Sequence, residues 1–305
     1  MPSIPSAVET IMFRGKPIHV KRDDLIDPCL SGNKFRKLYA LTIADPSKYS
    51  RVISYGGNQS NAMLSIACLC HQKEWRFEYV TKTIPEHLRA DLTGNLKNAL
   101  SLGMQLREVS ALEYEGVISD LKEKYPLYSA PVDQNQKTLF IRQGGADPLA
   151  ESGVNVLAAE IEAWRVEKNI DFLSVITPSG TGTTAFYLAK ALPGLSVYTT
   201  ALIGTTEYLM KQLRQLGEIP QNLHFLETEK KYRFGNLYPE FFRIQNELKS
   251  SGVEFDYLYA PKTWLSLAEN LDAINTQLLY VHSGGVSGNE TMVARYKRFF
   301  ERMGK

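Results

Sequence analysis

Phe172-Leu173-Ser174-Val175-Ile176-Thr177-Pro178-Ser179-Gly180-Thr181-Gly182-Thr183-Thr184 passes from a short apolar run directly into alternating glycines and hydroxyls. The first half reads as a buried strand, FLSVIT over 172–177. A helical pattern follows from Thr183 to Leu192, and SVYTTALIG at 196–204 reads as the next strand. Working outward, the same alternation recurs. Upstream lie RVISYGG, a helix in NAMLSIACLCHQK, RFEYVTK, a helix over 86–102, MQLREV, a helix over 110–124, TLFIRQGG and a long helix over 149–168. Downstream come helices near 207–216 and 239–250, LHFLET, LLYVHSGG and a C-terminal helix. About eight or nine strands alternating with helices predict an α/β protein whose parallel sheets are covered on both faces. The stretch 126–136, rich in Pro, Asp, Asn and Gln, interrupts the alternation, and a domain crossing is expected near 144–152.

Among 305 residues, 35 Lys and Arg face 33 Asp and Glu, a net charge of +2, which excludes a nucleic-acid binder held by electrostatics. Hydrophobic residues at 44% and charged residues at 22% fit a folded protein with a substantial core. No apolar run reaches the roughly 20 residues that cross a bilayer, so no membrane span is expected. The first residues carry Pro2, Pro5 and Glu9 without an apolar stretch, which argues against a secretory leader and for the cytoplasm. Cys29, Cys68 and Cys70 lack the spacing of a zinc site, and no metal is expected. The basic end, 295–305, reads as a solvated helix face.

Small and hydroxyl residues gather after strands and before helices, where open α/β sheets bind ligands. The clusters are Tyr55 to Asn61, Thr177 to Thr184 and His282 to Gly285, with a fourth turn, Ser31-Gly32-Asn33-Lys34, that holds a lysine. In the second cluster, Gly180 and Gly182 free main-chain amides to face an anion, and a helix starting near Thr183 adds partial positive charge. Hydroxyls that cap the helix explain the same residues. Gly180-x-Gly182-x-x-Ala185 also fits the loose dinucleotide pattern, so a nicotinamide-dependent oxidoreductase is an alternative. Against it, Glu207 stands 25 residues beyond Gly182, past the next strand, where it cannot hold a ribose. No lysine follows the glycines, so this is not a P-loop. A phosphate cradle without ribose or magnesium recognition suits pyridoxal phosphate, which needs a lysine amine, and Lys34 is the candidate.

KRDDL at 21–25, SGNKFRKL at 31–38, GGNQSNA at 56–62 and GTGTT at 180–184 together resemble the pyridoxal-phosphate enzymes that include D-cysteine desulfhydrase and 1-aminocyclopropane-1-carboxylate deaminase. The similarity runs from about residue 21 to 288, in order. It implies the tryptophan-synthase-β-like fold, fold type II among pyridoxal-phosphate enzymes: two open twisted sheets flanked by helices. A large cofactor-binding domain (1–50 and 151–305) would be interrupted by a small one (51–150). It also implies a homodimer.

The resemblance implies roles by position. Lys34 would attach covalently to the cofactor, and Ser179, Gly180, Thr181, Gly182, Thr183 and Thr184 would hold its phosphate. Asn61 would bond its ring oxygen, and Ser283 would face its ring nitrogen. Gln59, Ser60 and Asn61 would receive the substrate carboxylate, with Ser60 also placed for proton transfer, although a plain helix cap explains Ser60 as well. Tyr257-Leu258-Tyr259-Ala260-Pro261-Lys262 resembles the family's Asp-Pro-Val-Tyr-x-Gly-Lys segment and makes Tyr259 the active-site tyrosine, against the reading of a core strand residue. A second tyrosine is expected within 232–238, with Tyr238 as candidate. Deaminases carry a glutamate just after the first tyrosine where this chain has Ala260, which favours β-elimination. The implied activity is conversion of a small amino acid, foremost D-cysteine to pyruvate, sulfide and ammonia, with 1-aminocyclopropane-1-carboxylate deamination as the alternative.

Overall fold

A computed structural model describes residues 3–30, 32–89, 92–125 and 137–304; Ser31 and the interrupting stretch 126–136 lie outside the described residues. The strands among them are β1 (Val8–Phe13), β2 (Lys16–Lys21), β3 (Arg51–Tyr55), β4 (Arg76–Lys82), β5 (Gln105–Val109), β6 (Thr138–Ile141), β7 (Leu173–Ser179), β8 (Ser196–Ala201), β9 (Leu223–Phe225) and β10 (Gln277–Val281). The chain forms two compact units, Met1–Arg36 with Val154–Lys305, and Lys37–Gly153.

The first unit holds a six-stranded sheet in the order β1-β2-β10-β7-β8-β9. From β2 to β9 every pairing is parallel, and β1 closes the edge as an antiparallel hairpin partner of β2. The hairpin turns through Arg14 and Gly15, both at positive φ (48° and 80°), which is the backbone a tight two-residue turn demands. The chain leaves β7 for β8 and β9 on one side and returns to β10 on the other. The switch of winding direction therefore falls between β7 and β10, and their following loops leave from the same end of the sheet. The core beneath is aromatic. Trp264 stands edge-on to Phe13 at 4.8 Å and stacks on Tyr280 at 4.6 Å, while Phe255 meets both. Burying a ring of that size stabilises by roughly 2–3 kcal/mol relative to exposure.

The second unit is a four-stranded parallel sheet in the order β5-β4-β3-β6, packed on Tyr55, Val80, Ile118 and Phe140. Here the winding reverses between β3 and β6, so the loops after Tyr55 and after Ile141 share one end.

Two sheets flanked by helices is the expected class. The differences are local. The helix expected over 86–102 is described as Glu86–Arg89 and Gly94–Ser101, with Gly94 at φ +63° opening the second piece. The strand expected through Gly204 ends at Ala201. Residues 260–270, not read as an element, form a helix with Pro261 in its first turn, where a missing N–H costs nothing.

Candidate active site

In the first unit, Lys34 opens the helix Asn33–Thr42. Gly32 before it has φ +61° and donates its N–H to the Asp23 carbonyl at 2.9 Å. A β-carbon on Gly32 would lie 2.0 Å from the Ser283 carbonyl oxygen, and Asn33 N–H donates to that oxygen at 3.2 Å. The turn carrying Lys34 is thus seated on the loop that leaves β10. Lys34 Nζ donates to Asn33 Oδ1 at 3.0 Å. Surrounding protein desolvates the amine, against the pull of Asp256, and brings its pKa down to about 8.

A buried ionic network fixes the same helix. Arg36 reaches Asp23 through Nε at 3.0 Å and Nη2 at 2.7 Å, and Glu160 through Nη1 at 2.7 Å and Nη2 at 2.8 Å. Lys21 pairs with Glu160 at 2.6 Å, and Ser6 Oγ donates to Asp23 at 2.6 Å. Two cations and two carboxylates balance, so Asp23 grips the segment around Lys34 from both ends, by its carbonyl at Gly32 and its carboxylate at Arg36.

The loop after β7 has the form of an anion cradle. Gly182 sits at φ +76°, and a β-carbon there would meet Leu213 Cδ2 at 2.4 Å. The first helical bond, Phe186 N–H to the Gly182 carbonyl, spans 2.9 Å. The amides of Thr183, Thr184 and Ala185 precede it and have no intrahelical acceptor. Thr184 Oγ1 is buried without a hydrogen-bond partner, an orphan that a bound phosphate oxygen would satisfy. Thr181 and Thr183 hydroxyls are 3.1 Å apart. Ser179 differs from the rest. Thr199 Oγ1 gives its proton to the Thr177 carbonyl at 2.7 Å, so Ser179 Oγ must donate to Thr199 at 2.6 Å and has no proton left for an anion. The amide donor set and the orphan hydroxyl fit a phosphate group.

Tyr259 stands just before the helix Ala260–Asn270, not in a strand, and a β-carbon on Gly180 would touch its ring at 3.4 Å. Desolvation, then the neighbouring Asp256, push its phenol well above the ordinary range. The ring packed against Tyr259 is that of Phe234, at 5.4 Å. Tyr238 faces elsewhere: its hydroxyl accepts from Arg233 N–H at 3.0 Å and its ring packs on Tyr232 and Phe241. Ser283 lies in the loop whose shape His282 sets. Gly284 N–H donates to His282 Nδ1 at 3.1 Å, so Nε2 carries the proton and donates to the Glu254 carbonyl at 2.8 Å.

In the second unit, Ser60 caps the helix Asn61–Lys73, its Oγ accepting Met63 N–H at 3.3 Å. The capping role is realised, and the hydroxyl proton remains free. Asn95, fully buried and not foreseen, organises this loop. Its Nδ2 donates to the Gln59 carbonyl at 3.1 Å and to Asn61 Oδ1 at 2.7 Å. Because the first acceptor is a carbonyl, the amide orientation is fixed, and Asn61 is left with its Nδ2 as a donor. The Gln59 side chain is held by Thr93 and Asn95.

Asp256 is the other residue not foreseen, although the signal lay immediately before the segment that begins at Tyr257: an acidic residue shortly before a Pro-initiated helix is a capping pattern.

No family model matches the chain. A Thermotoga maritima protein provisionally named 1-aminocyclopropane-1-carboxylate deaminase is 28% identical over 294 residues, 90% of either chain. The bifunctional D-cysteine desulfhydrase/1-aminocyclopropane-1-carboxylate deaminase of Arabidopsis thaliana is 25% identical over 317 residues, covering 94% of this chain and 75% of its own length. A solved structure described as an ACC deaminase homologue superposes with a TM-score of 0.75 at 22% identity, over 93% of this chain and 90% of the other. Along nine tenths of its length this chain is similar in sequence to D-cysteine desulfhydrases and 1-aminocyclopropane-1-carboxylate deaminases, and its two sheets have the fold type II architecture.

Proposed function

We propose that the protein is a pyridoxal-phosphate-dependent enzyme that eliminates the β-substituent of a small amino acid, foremost D-cysteine to pyruvate, sulfide and ammonia. The observation that carries the reading is the pairing of a desolvated lysine amine with an anion cradle at the winding switch of one sheet. When bound, the cofactor supplies an electron-withdrawing ring that delocalises the charge left at the α-carbon.

The chain's own residues take the remaining roles. Lys34 provides the attachment amine, and with a pKa near 8 its Nζ accepts and returns a proton close to neutral pH. Main-chain amides of 180–184 and the Thr184 hydroxyl hold the phosphate, with Thr181 and Thr183 beside them. Asn61, with its Nδ2 left as a donor, would serve the cofactor's ring oxygen, and Ser283 would serve its ring nitrogen. Ser60 and the amides opening its helix take the substrate carboxylate. Gln59 braces that loop. Tyr259 is the proton donor to the leaving group, its raised pKa keeping the phenol protonated. Tyr238 acts from outside this set, on the shape of the 232–238 loop. Residues 1–50 with 151–305 form the cofactor-binding domain and 51–150 the smaller one, in a cytoplasmic homodimer that light scattering checks.

1-Aminocyclopropane-1-carboxylate deamination is the second reading, favoured by the bifunctional plant relative. The nicotinamide alternative finds little support: β8 ends at Ala201 without an acidic residue, and Glu207 is exposed on the next helix. The test is Lys34→Ala. The purified wild type should show the visible absorption of bound cofactor and release sulfide from D-cysteine faster than it opens the cyclopropane. The variant should lose both band and turnover. A variant that keeps them refutes the reading.

A further inference from the structure

Tyr259 has two close neighbours. A β-carbon on Gly180 would lie 3.4 Å from its Cε1, so the hydroxyl end of the ring borders the anion loop. The other neighbour is Phe234, with ring centroids 5.4 Å apart and planes at 57°. Phe234 is presented on a tight turn over 233–236. Asn236 N–H donates to the Arg233 carbonyl at 3.2 Å, and Gly235 takes φ +78°, as the third position of a type II turn demands. The turn is pinned twice. The Tyr238 hydroxyl accepts Arg233 N–H at 3.0 Å, and Arg295 Nη2 donates to the Gly235 carbonyl at 2.8 Å.

Nothing in such a turn requires an aromatic side chain at its second position. Phe234 is nevertheless a large apolar ring left 39% exposed. With Ala201, Asn236 and Lys262 it lines a cavity of about 970 Å³. The cavity lies at the end of the sheet that carries the anion loop: Ala201 pairs with Ser179 across the strands, and Leu202 N–H donates to the Ser179 carbonyl at 3.0 Å. The two tyrosines of the same segment are committed elsewhere, Tyr232 to Glu240 at 3.2 Å and Tyr238 to the Arg233 amide. Tyr259 is therefore bordered by an apolar ring and not by a second phenol. A ring of that kind sorts what is laid against it. A hydroxyl gives up water and finds no partner there, whereas sulfur sheds little hydration and gains contact with the ring.

We propose that Phe234 is a specificity-determining residue: its ring is the apolar wall beside Tyr259 on which the substrate's β-substituent lies, and it selects a thiol or thioether over a hydroxyl. The inference rests on the elimination reading above and deepens it.

The holoenzyme is titrated calorimetrically with D-2-aminobutyrate and D-serine, which differ only by methyl against hydroxyl, and kcat/KM is measured for D-cysteine and D-serine. The wild type should bind the methyl compound more tightly and turn over the thiol faster. Phe234→Ala should lower both preferences by about tenfold, while Phe234→Leu, which restores an apolar wall, should keep most of each. A ring that only braced Tyr259 would slow both substrates alike on truncation. Unchanged preferences in a Phe234→Ala variant that is folded by circular dichroism therefore overturn the proposal, as does a wild type that binds the two analogues equally. Should Phe234→Ala not fold, Phe234→Gln is read in the same way. A wild type with neither the visible band of the cofactor nor turnover of D-cysteine overturns the elimination reading itself, and this proposal with it.

Discussion

Gly32 and Ser283 are in main-chain contact, with a β-carbon on Gly32 falling 2.0 Å from the Ser283 carbonyl oxygen. The turn that presents Lys34 is therefore shaped by the loop after β10, and no side chain fits between them. The obstruction is backbone, which cannot swing aside, and φ +61° adds strain for any residue with a β-carbon. Gly32→Ala is expected to cost roughly 2–4 kcal/mol. It should also weaken cofactor binding, as read by thermal unfolding and spectrophotometric titration.

Lys34→Met should stabilise the cofactor-free protein at neutral pH. The folded pKa of about 8 lies below the ordinary 10.5, so folding favours the neutral amine and the charged form is a burden below pH 8. Removing it is worth up to about 3 kcal/mol at low and neutral pH. The gain should shrink as pH rises from 8 toward 10.5 and vanish above, which urea unfolding across that range checks.

Glu160→Gln should be costly where the ionic network is intact. Burial alone would raise the Glu160 pKa, but hydrogen bonds and charge from Arg36 and Lys21 outweigh it, and the net direction is downward. Its contribution is therefore present above the unfolded value of 4.5 and is lost as pH falls through the lower folded value. At neutral pH the variant is expected to lose about 3–5 kcal/mol. The gap from wild type should narrow on acidification below 4.5.

Asn95→Ala removes the side-chain bonds to the Gln59 carbonyl and Asn61 Oδ1, worth ~1 kcal/mol each. With Asn61 free to turn, cofactor and substrate should bind about tenfold more weakly while Lys34 chemistry persists. Steady-state kinetics should show a rise in KM larger than any fall in kcat.

Most of the parallel strands were legible as short runs rich in β-branched, aromatic and aliphatic residues between helical patterns, and RFEYVTK coincides with β4. The β1–β2 hairpin was not, since its turn is Arg14-Gly15 and β1 alternates on a half-exposed edge with Met12 turned outward. The clusters after β3, β7 and β10 stood out by composition. The residues that organise them did not. Asn95 acts from a separate helix, Asp256 acts through main-chain amides two to four residues away, and the contact of Phe234 with Tyr259 depends on how a loop folds back. Such relationships are set by tertiary packing, which leaves no periodic trace.

The central claim, a covalent cofactor on Lys34, is tested most directly by reducing the purified holoenzyme with borohydride and mapping the modified peptide by mass spectrometry. The account predicts one pyridoxyl-phosphate adduct, on Lys34. An adduct on a different lysine, or none on a protein that retains turnover, contradicts it.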